Sequence, residues 1–194
     1  MQGVISVCDL TQVFDLPVLD WIAAHLRCPV LDTLMPLITH LGDGGILWIA
    51  LAAVLLCLPK YRKTGLAMGV ALLMGLLICN LWLKPWVGRL RPFDYVLQHL
   101  HRVIPLLIEA PTDFSFPSGH TIASFEAATV LQIRHKNWGI PAIVLAILIA
   151  FSRLYLYVHF PSDVLFAMAL GIGIGFIANF LINQGFALYQ QRKS

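Results

Sequence analysis

The stretch from Thr64 to Leu83, TGLAMGVALLMGLLICNLWL, carries no charged side chain. It is as long as the hydrocarbon core of a bilayer asks of an α-helix, about 20 residues. A chain holding such a run has few folds open to it. In lipid every backbone N–H and C=O must find its partner inside the protein, so only helices and closed barrels span. Hydrophobic residues make up 59% of the 194 positions and charged residues only 12%, so this run is not an isolated anchor. Trp138 to Val158 and Phe160 to Asn183 are also long enough to cross, each with charge near one end. Met35 to Pro59 crosses provided that His40 and Asp43 lie at its mouth. Ser118 to Ile133 is short and contains Glu126. The expected fold is all-α: a polytopic membrane helix bundle of five transmembrane helices, forming one domain over 1–194 with its main bundle at 35–183.

The N-terminal segment, residues 1–30, reads differently. Val13, Leu16, Leu19 and Ile22 recur with Trp21 at near-helical spacing, interrupted by Asp15, Asp20 and His25. That pattern suits an amphipathic, interfacial helix on the membrane surface. The alternative is a sixth span. Asp9 and Asp15 leave no continuous apolar core at the start, so no cleaved signal peptide is expected and the chain is expected to begin at Met1.

Short cytoplasmic loops collect Lys and Arg. Lys60, Arg62 and Lys63, then Arg134 and Lys136, then Arg192 and Lys193 fall on one side of a five-span model, which makes that side, with the C-terminus, cytoplasmic. The other, extracytoplasmic side receives Lys84, Arg89, Arg91, Arg102 and Arg153 against the rule. These cations need an anionic ligand, or the acids of the same face: Asp94, Glu109, Asp113 and Asp163.

Three clusters stand at the outer helix ends. KPWVGRLRP, residues 84–92, leads out of the Thr64 helix with Lys84 and Arg91. PSGH, residues 117–120, opens the next span: Ser118 is a natural N-cap, Gly119 lets backbone approach a ligand, and the exposed N–H groups favour an anion, with His120 at the lip. SRLYLYVHFPSD, residues 152–163, sets Pro161 in the first turn of the last helix, His159 just ahead of it and Asp163 within it. A carboxylate there can accept the Nδ1 proton of His159 and turn Nε2 toward a substrate. Arg153 brings a planar fork suited to phosphate oxygens. Charge at membrane depth is expensive and usually functional.

The order and spacing of these residues resemble the type 2 phosphatidic acid phosphatase (PAP2) superfamily, which includes vanadium haloperoxidases and soluble acid phosphatases. Its pattern, Lys-x6-Arg-Pro, then Pro-Ser-Gly-His, then Ser-Arg-x5-His-x3-Asp, is met by Lys84 to Pro92, Pro117 to His120, and Ser152 to Asp163. The chain departs from better-known bacterial members at its N-terminus, which lacks a first full span. The resemblance implies that His159 attacks phosphorus in line to form a phosphohistidine, that Asp163 orients it, and that His120 protonates the leaving oxygen and then activates water. It implies phosphate binding by Lys84, Arg91, Ser118, Gly119 and Arg153. It also implies no cofactor and no metal, in keeping with a site that draws its positive charge from side chains and lacks the carboxylate cluster that Mg²⁺ prefers.

A site at helix ends can take a head group from water while the tails stay in lipid, so the expected substrate is a lipid phosphate or pyrophosphate. Undecaprenyl pyrophosphate, phosphatidic acid and phosphatidylglycerol phosphate all fit. The stretch Tyr95 to Ile104 suits either an interfacial helix ending before Pro105 or a helix packed on its neighbours. GIGIG, residues 171–175, follows no strand and is read as a close-packing face, as are Gly65 and Gly69. Glu126 either tunes the site or pairs with a neighbouring helix. Cys57 and Cys79 are read as packing residues, while Cys8 and Cys28 could pair. A net charge of +3 is accounted for by loops and site, so no nucleic-acid partner is expected. The rival functions are a non-hydrolytic lipid transporter or flippase and a vanadate-dependent haloperoxidase.

Overall fold

The computed structural model describes residues 10–193, so Cys8, and with it any pairing to Cys28, falls outside the described residues. Those residues form helices and no strand. A π-helical turn, Thr11–Asp15, leads into α1 (Leu16–His25). Then follow α2 (Pro29–His40), α3 (Ile46–Cys57) and α4 (Arg62–Gly75), the last running on through π-helical turns to Leu83 and a short helical end at Val87. The chain closes with α5 (Pro92–Leu100), α6 (Gly119–Arg134), α7 (Lys136–Tyr155) and α8 (Pro161–Gln191).

Among the described residues three helical stretches are long and apolar enough to cross a membrane: Pro59–Leu100, Lys136–Tyr155 and Pro161–Gln191. The bent pair α2 and α3 makes a fourth if taken as one span. The region expected to cross as Met35 to Pro59 is therefore broken, with a bend of 41° between the two helices. Gly44 and Gly45 cause the break. Both are left-handed, at φ 57° and 68°, a conformation that costs glycine little and other residues much.

At the centre stands α6, with Ile122, Phe125, Ala127, Ala128, Val130 and Leu131 buried. It packs chiefly on α7 and α8, with α4 beside it. Small residues let α8 approach closely: a Cβ on Gly171 would stand 2.8 Å from the Ile122 carbonyl oxygen, and one on Gly175 2.7 Å from Thr129 Cβ. The close-packing face of the GIGIG stretch is thus residues 171 and 175, one helical turn apart, with Gly173 facing open space. The same test divides the other pair. Gly65 lies against the backbone of Ala52 and Leu56, whereas Gly69 meets nothing within 4 Å, so only Gly65 is a packing glycine. Cys79 is buried, but Cys57 is exposed on the bundle surface and packs no core.

In the N-terminal segment the stripe Leu16, Leu19 and Ile22 is buried against aromatic clusters that include Tyr95, Tyr155, Tyr157 and Phe160, while Val13 and Trp21 face outward. Its acids are bound into the bundle. Asp15 is fully buried and paired with Arg89, and Asp20 accepts from Arg102 and from the Tyr157 hydroxyl. Part of the charge expected on that face therefore is an internal ion-pair network, with partners drawn from the N-terminal segment. Helix α5 ends where His101 turns left-handed at φ 52°; it buries Tyr95 and Val96 and leaves Leu97 and Leu100 exposed.

Candidate active site

One cavity of about 270 Å³ gathers Lys84, Arg91, Gly119, His120, Arg153 and His159 from five helix ends. Thr39, His40, Asp43, Glu109 and Asp113 also line it. Each helix end is placed by local chemistry. Arg91 is the extended residue before the Pro92 that starts α5, and Pro161 starts α8 in the same way. Ser118 caps α6 and accepts from the Thr121 N–H and hydroxyl at 3.4 and 2.9 Å. Its buried side chain is thus committed to the helix start and is absent from the cavity wall, where Gly119 stands instead.

His159 occupies the turn between α7 and α8 and is buried. Arg91 Nη1 donates to the Val158 carbonyl at 2.7 Å and lies 3.3 Å from His159 Nε2. A guanidinium can only donate, so Nε2 presents a lone pair and the ring proton sits on Nδ1. On that side the expected contact with Asp163 is indirect. Nδ1 is 3.6 Å from Asp163 Oδ2 and 3.5 Å from Ser115 Oγ, and Ser115 Oγ itself donates to Asp163 Oδ2 at 2.5 Å. The same oxygen accepts from the Phe160 N–H at 2.9 Å. Asp163 Oδ1 accepts from Arg89 Nη1 at 2.5 Å, and Arg89 Nη2 reaches back to Asp15 at 2.6 Å. Burial, then the positive charges of Arg91 and Arg153, hold the His159 imidazole well below its usual range. It stands as a neutral ring.

Of the cations assigned to phosphate, Lys84 and Arg91 both grip Asp113. Arg91 Nη2 donates to Asp113 Oδ1 at 2.5 Å, Arg91 Nε donates to its carbonyl at 2.8 Å, and Lys84 pairs with Oδ2. Burial opposes ionisation of Asp113, but Lys84 and then Arg91 outweigh it and keep the carboxyl well below the usual carboxylate range. Arg153 donates to Thr39 Oγ1 at 2.6 Å, while its Nε is buried with no partner. His120 turns Nε2 to Asp43 Oδ1 at 2.9 Å, and the other Asp43 oxygen takes His40 Nδ1 at 2.7 Å.

Four residues of this site lay outside the sequence reading of it: Asp43, Arg89, Asp113 and Ser115. Ser115 and Asp113 precede the Pro-Ser-Gly-His quartet by only two and four residues, so the quartet's own neighbourhood was the available signal. For Asp43 the only sign was charge between two glycine-rich turns at the mouth of a span.

A second cavity, of about 600 Å³, meets the first at Lys84, Asp113, Gly119 and His120. It runs between α3, α4 and α6 past Ile49, Leu56, Leu72 and Leu76 to Glu126. Glu126 is buried, and its Oε2 has no hydrogen-bond partner. Gly75 makes room for it, since a Cβ there would lie 2.3 Å from Oε2.

The family model of the PAP2 superfamily matches residues 64–185. The chain is 32% identical to undecaprenyl-diphosphatase of Sulfolobus acidocaldarius, over 76% of this chain and 69% of that one. It is 35% identical to phosphatidylglycerophosphatase B of Bacillus subtilis, over 80% and 77%. The solved structure of the first transmembrane PAP2 type phosphatidylglycerolphosphate phosphatase from Bacillus subtilis matches it with a TM-score of 0.73 and 27% identity, over 93% of this chain and 89% of that one. The family match spans more than half of the sequence and takes in Lys84, Arg91, His120, His159 and Asp163, and the chain belongs to the PAP2 superfamily.

Proposed function

We propose that this protein is a membrane lipid phosphatase that removes phosphate from a lipid phosphate or pyrophosphate through a phosphohistidine. The observation that carries the reading is the meeting of the two cavities: a polar one lined by His159, His120 and three cations opens into an apolar one between helices. A phosphorylated head group matches the first and a lipid body the second. The named activities of the relatives, on undecaprenyl diphosphate and phosphatidylglycerophosphate, belong to the same class.

In the proposed reaction the neutral His159 Nε2 bonds to phosphorus while the bond from phosphorus to the leaving oxygen breaks. The leaving oxygen keeps the electron pair and takes a proton from His120. Lys84, Arg91 and Arg153, with the Gly119 backbone, hold the phosphoryl oxygens and stabilise their charge in the transition state. Lys84 and Arg91 must first exchange Asp113 for substrate. Water then attacks phosphorus as His120 takes its proton, and the phosphorus–nitrogen bond breaks with its electrons returning to Nε2. Asp163 acts through Ser115 to keep the His159 proton on Nδ1. Ser118 acts one step removed, by capping the helix that presents Gly119 and His120.

The reading takes 1–194 as one phosphatase domain with residues 35–183 as the catalytic bundle. Counting α2 with α3 as one span and the central α6 as another gives five, with the cavity on the extracytoplasmic face and the C-terminus in the cytoplasm. The N-terminal segment then lies at the interface on the bundle's outer end. The test is release of inorganic phosphate by the purified protein in detergent with EDTA present. Substrates are undecaprenyl pyrophosphate, phosphatidic acid and phosphatidylglycerol phosphate. Release from at least one is expected, and release from none would reject the reading.

A further inference from the structure

The three sequence motifs supply His159 with a carboxylate but leave His120 without one. In the structure that vacancy is filled from a part of the chain outside all three. Between α2 and α3 the residues Gly42 to Gly45 fold into a tight break, with two successive left-handed glycines. The break brings Asp43 onto the cavity wall beside His120. Asp43 Oδ1 lies 2.9 Å from His120 Nε2, and Oδ2 lies 2.7 Å from His40 Nδ1. Gly42 closes the same corner: a Cβ there would stand 2.8 Å from His120 Cδ2 and 2.9 Å from Ile149 Cγ2, so the imidazole edge rests on bare backbone. Among the described residues no other side chain hydrogen-bonds the His120 ring.

We infer that Asp43 is a positioning residue for His120, and that the active site contains two histidine–carboxylate pairs, one for the nucleophile and one for the group that moves protons. The inference rests on the lipid phosphatase reading above. A carboxylate only accepts, so Asp43 holds a proton on Nε2 in both protonation states of the ring. The transferable proton is then confined to Nδ1. When the bond from phosphorus to the leaving oxygen breaks, Nδ1 gives up its proton to that oxygen and the ring becomes neutral, still tied to Asp43. When water attacks the phosphohistidine, Nδ1 takes a proton back. Asp43 stays ionised throughout and touches no substrate atom. Its charge is needed for a second reason. Burial, then Arg153 and Lys84 on the same cavity wall, oppose an imidazolium, and Asp43 is the acid in contact with the ring that favours it. His40, held on the other oxygen, fixes the carboxylate's orientation.

The role separates from a merely structural one through the leaving group. Asp43→Asn keeps shape and removes charge. With phosphatidic acid, whose leaving alcohol needs a proton, kcat/KM, which reports the phosphorylation half, should fall about 10²-fold or more, the typical worth of general acid catalysis. With p-nitrophenyl phosphate, whose leaving group departs unaided, the fall in kcat/KM should be under about tenfold, while hydrolysis of the phosphohistidine, where His120 is the base, slows alike for both. Asp43→Glu, which restores the charge, should recover part of the phosphatidic acid rate. In a His120→Ala background, Asp43→Asn should cost nothing more, because the two act as one unit. Equal losses on both substrates, or additive losses in the double variant, would overturn the assignment. So would an unchanged ratio between substrates in Asp43→Glu, the variant that decides if Asp43→Asn does not fold. Phosphatidylglycerol phosphate, whose leaving alcohol also needs a proton, takes the place of phosphatidic acid where the protein prefers it, and wild-type protein releasing phosphate from none of undecaprenyl pyrophosphate, phosphatidic acid and phosphatidylglycerol phosphate would instead reject the phosphatase reading itself.

Discussion

Ser115 Oγ stands between His159 and Asp163: it donates to Asp163 Oδ2 at 2.5 Å and lies 3.5 Å from His159 Nδ1, whose own distance to that oxygen is 3.6 Å. The serine hydroxyl can accept from Nδ1 and donate to Asp163, so it links the pair as a short relay. Ser115→Ala breaks the relay and leaves a buried carboxylate one donor short. A loss of about tenfold in kcat is expected, equivalent to about 1.4 kcal/mol in the barrier, with KM nearly unchanged. Steady-state kinetics on one lipid phosphate measures it, and a wild-type kcat would show that Asp163 acts on His159 without the relay.

His159→Ala should abolish turnover while the protein still folds, because the side chain sits in a turn at the cavity and not within a helix. Comparison of melting temperature and phosphate release separates the two effects. Retained turnover in this variant would rule out a phosphohistidine on residue 159.

Asp113 pairs with Lys84 and Arg91, and in the proposed reaction it competes with the substrate for them. Asp113→Asn removes the competing charge, and inhibition by inorganic phosphate should strengthen about tenfold, a change of about 1.4 kcal/mol. Weaker inhibition in the variant would mean that Asp113 arranges the two cations and does not compete for them.

Acid should weaken the fold in two stages. His159 is held below its usual range, so between about pH 6.5 and pH 4 the unfolded chain takes up a proton there that the folded chain refuses, and stability falls as pH falls. Asp113 is also depressed, so its ion pairs persist through this window and fail only below the usual carboxylate range, about pH 4. His159→Gln should therefore flatten the melting curve against pH in the first window and leave the second. An unchanged slope between pH 6.5 and 4 would assign the acid sensitivity elsewhere.

A cysteine placed in the loop 101–116 of a variant lacking native cysteines should react with an impermeant thiol reagent added outside intact cells. Labelling only after lysis would invert the proposed sidedness.

The placement of the candidate site was legible in the sequence where it is local. Lys84 with Arg91, Ser118 with His120, and His159 with Asp163 are each separated by a few residues, so spacing alone set them at helix ends. What stayed hidden joins distant segments: Asp43 meets His120 across 77 residues, and Asp15 meets Arg89 across 74. No local pattern marks such pairs. Helix assignment shows the same limit. The apolar run of α4 announces itself, whereas α6 has only 16 residues and is buried by protein on most of its surface, so its composition reflects neighbours and not lipid. Gly65 and Gly69 look alike in sequence and differ only in what stands opposite, Ala52 and Leu56 for one and open space for the other.

The slot that Gly75 leaves for Glu126 also sets an order on how this protein can change. A methyl group at position 75 would stand 2.3 Å from Oε2, so Gly75→Ala evicts the carboxyl into the apolar cavity. After Glu126→Ala the same substitution meets no carboxyl. The two positions are in contact, so their effects do not add: one sequence of steps runs through a disturbed intermediate and the other does not. In a library randomised at both sites and selected for activity, larger residues at 75 should survive only beside shortened residues at 126, which makes the pair a one-way path from the present sequence.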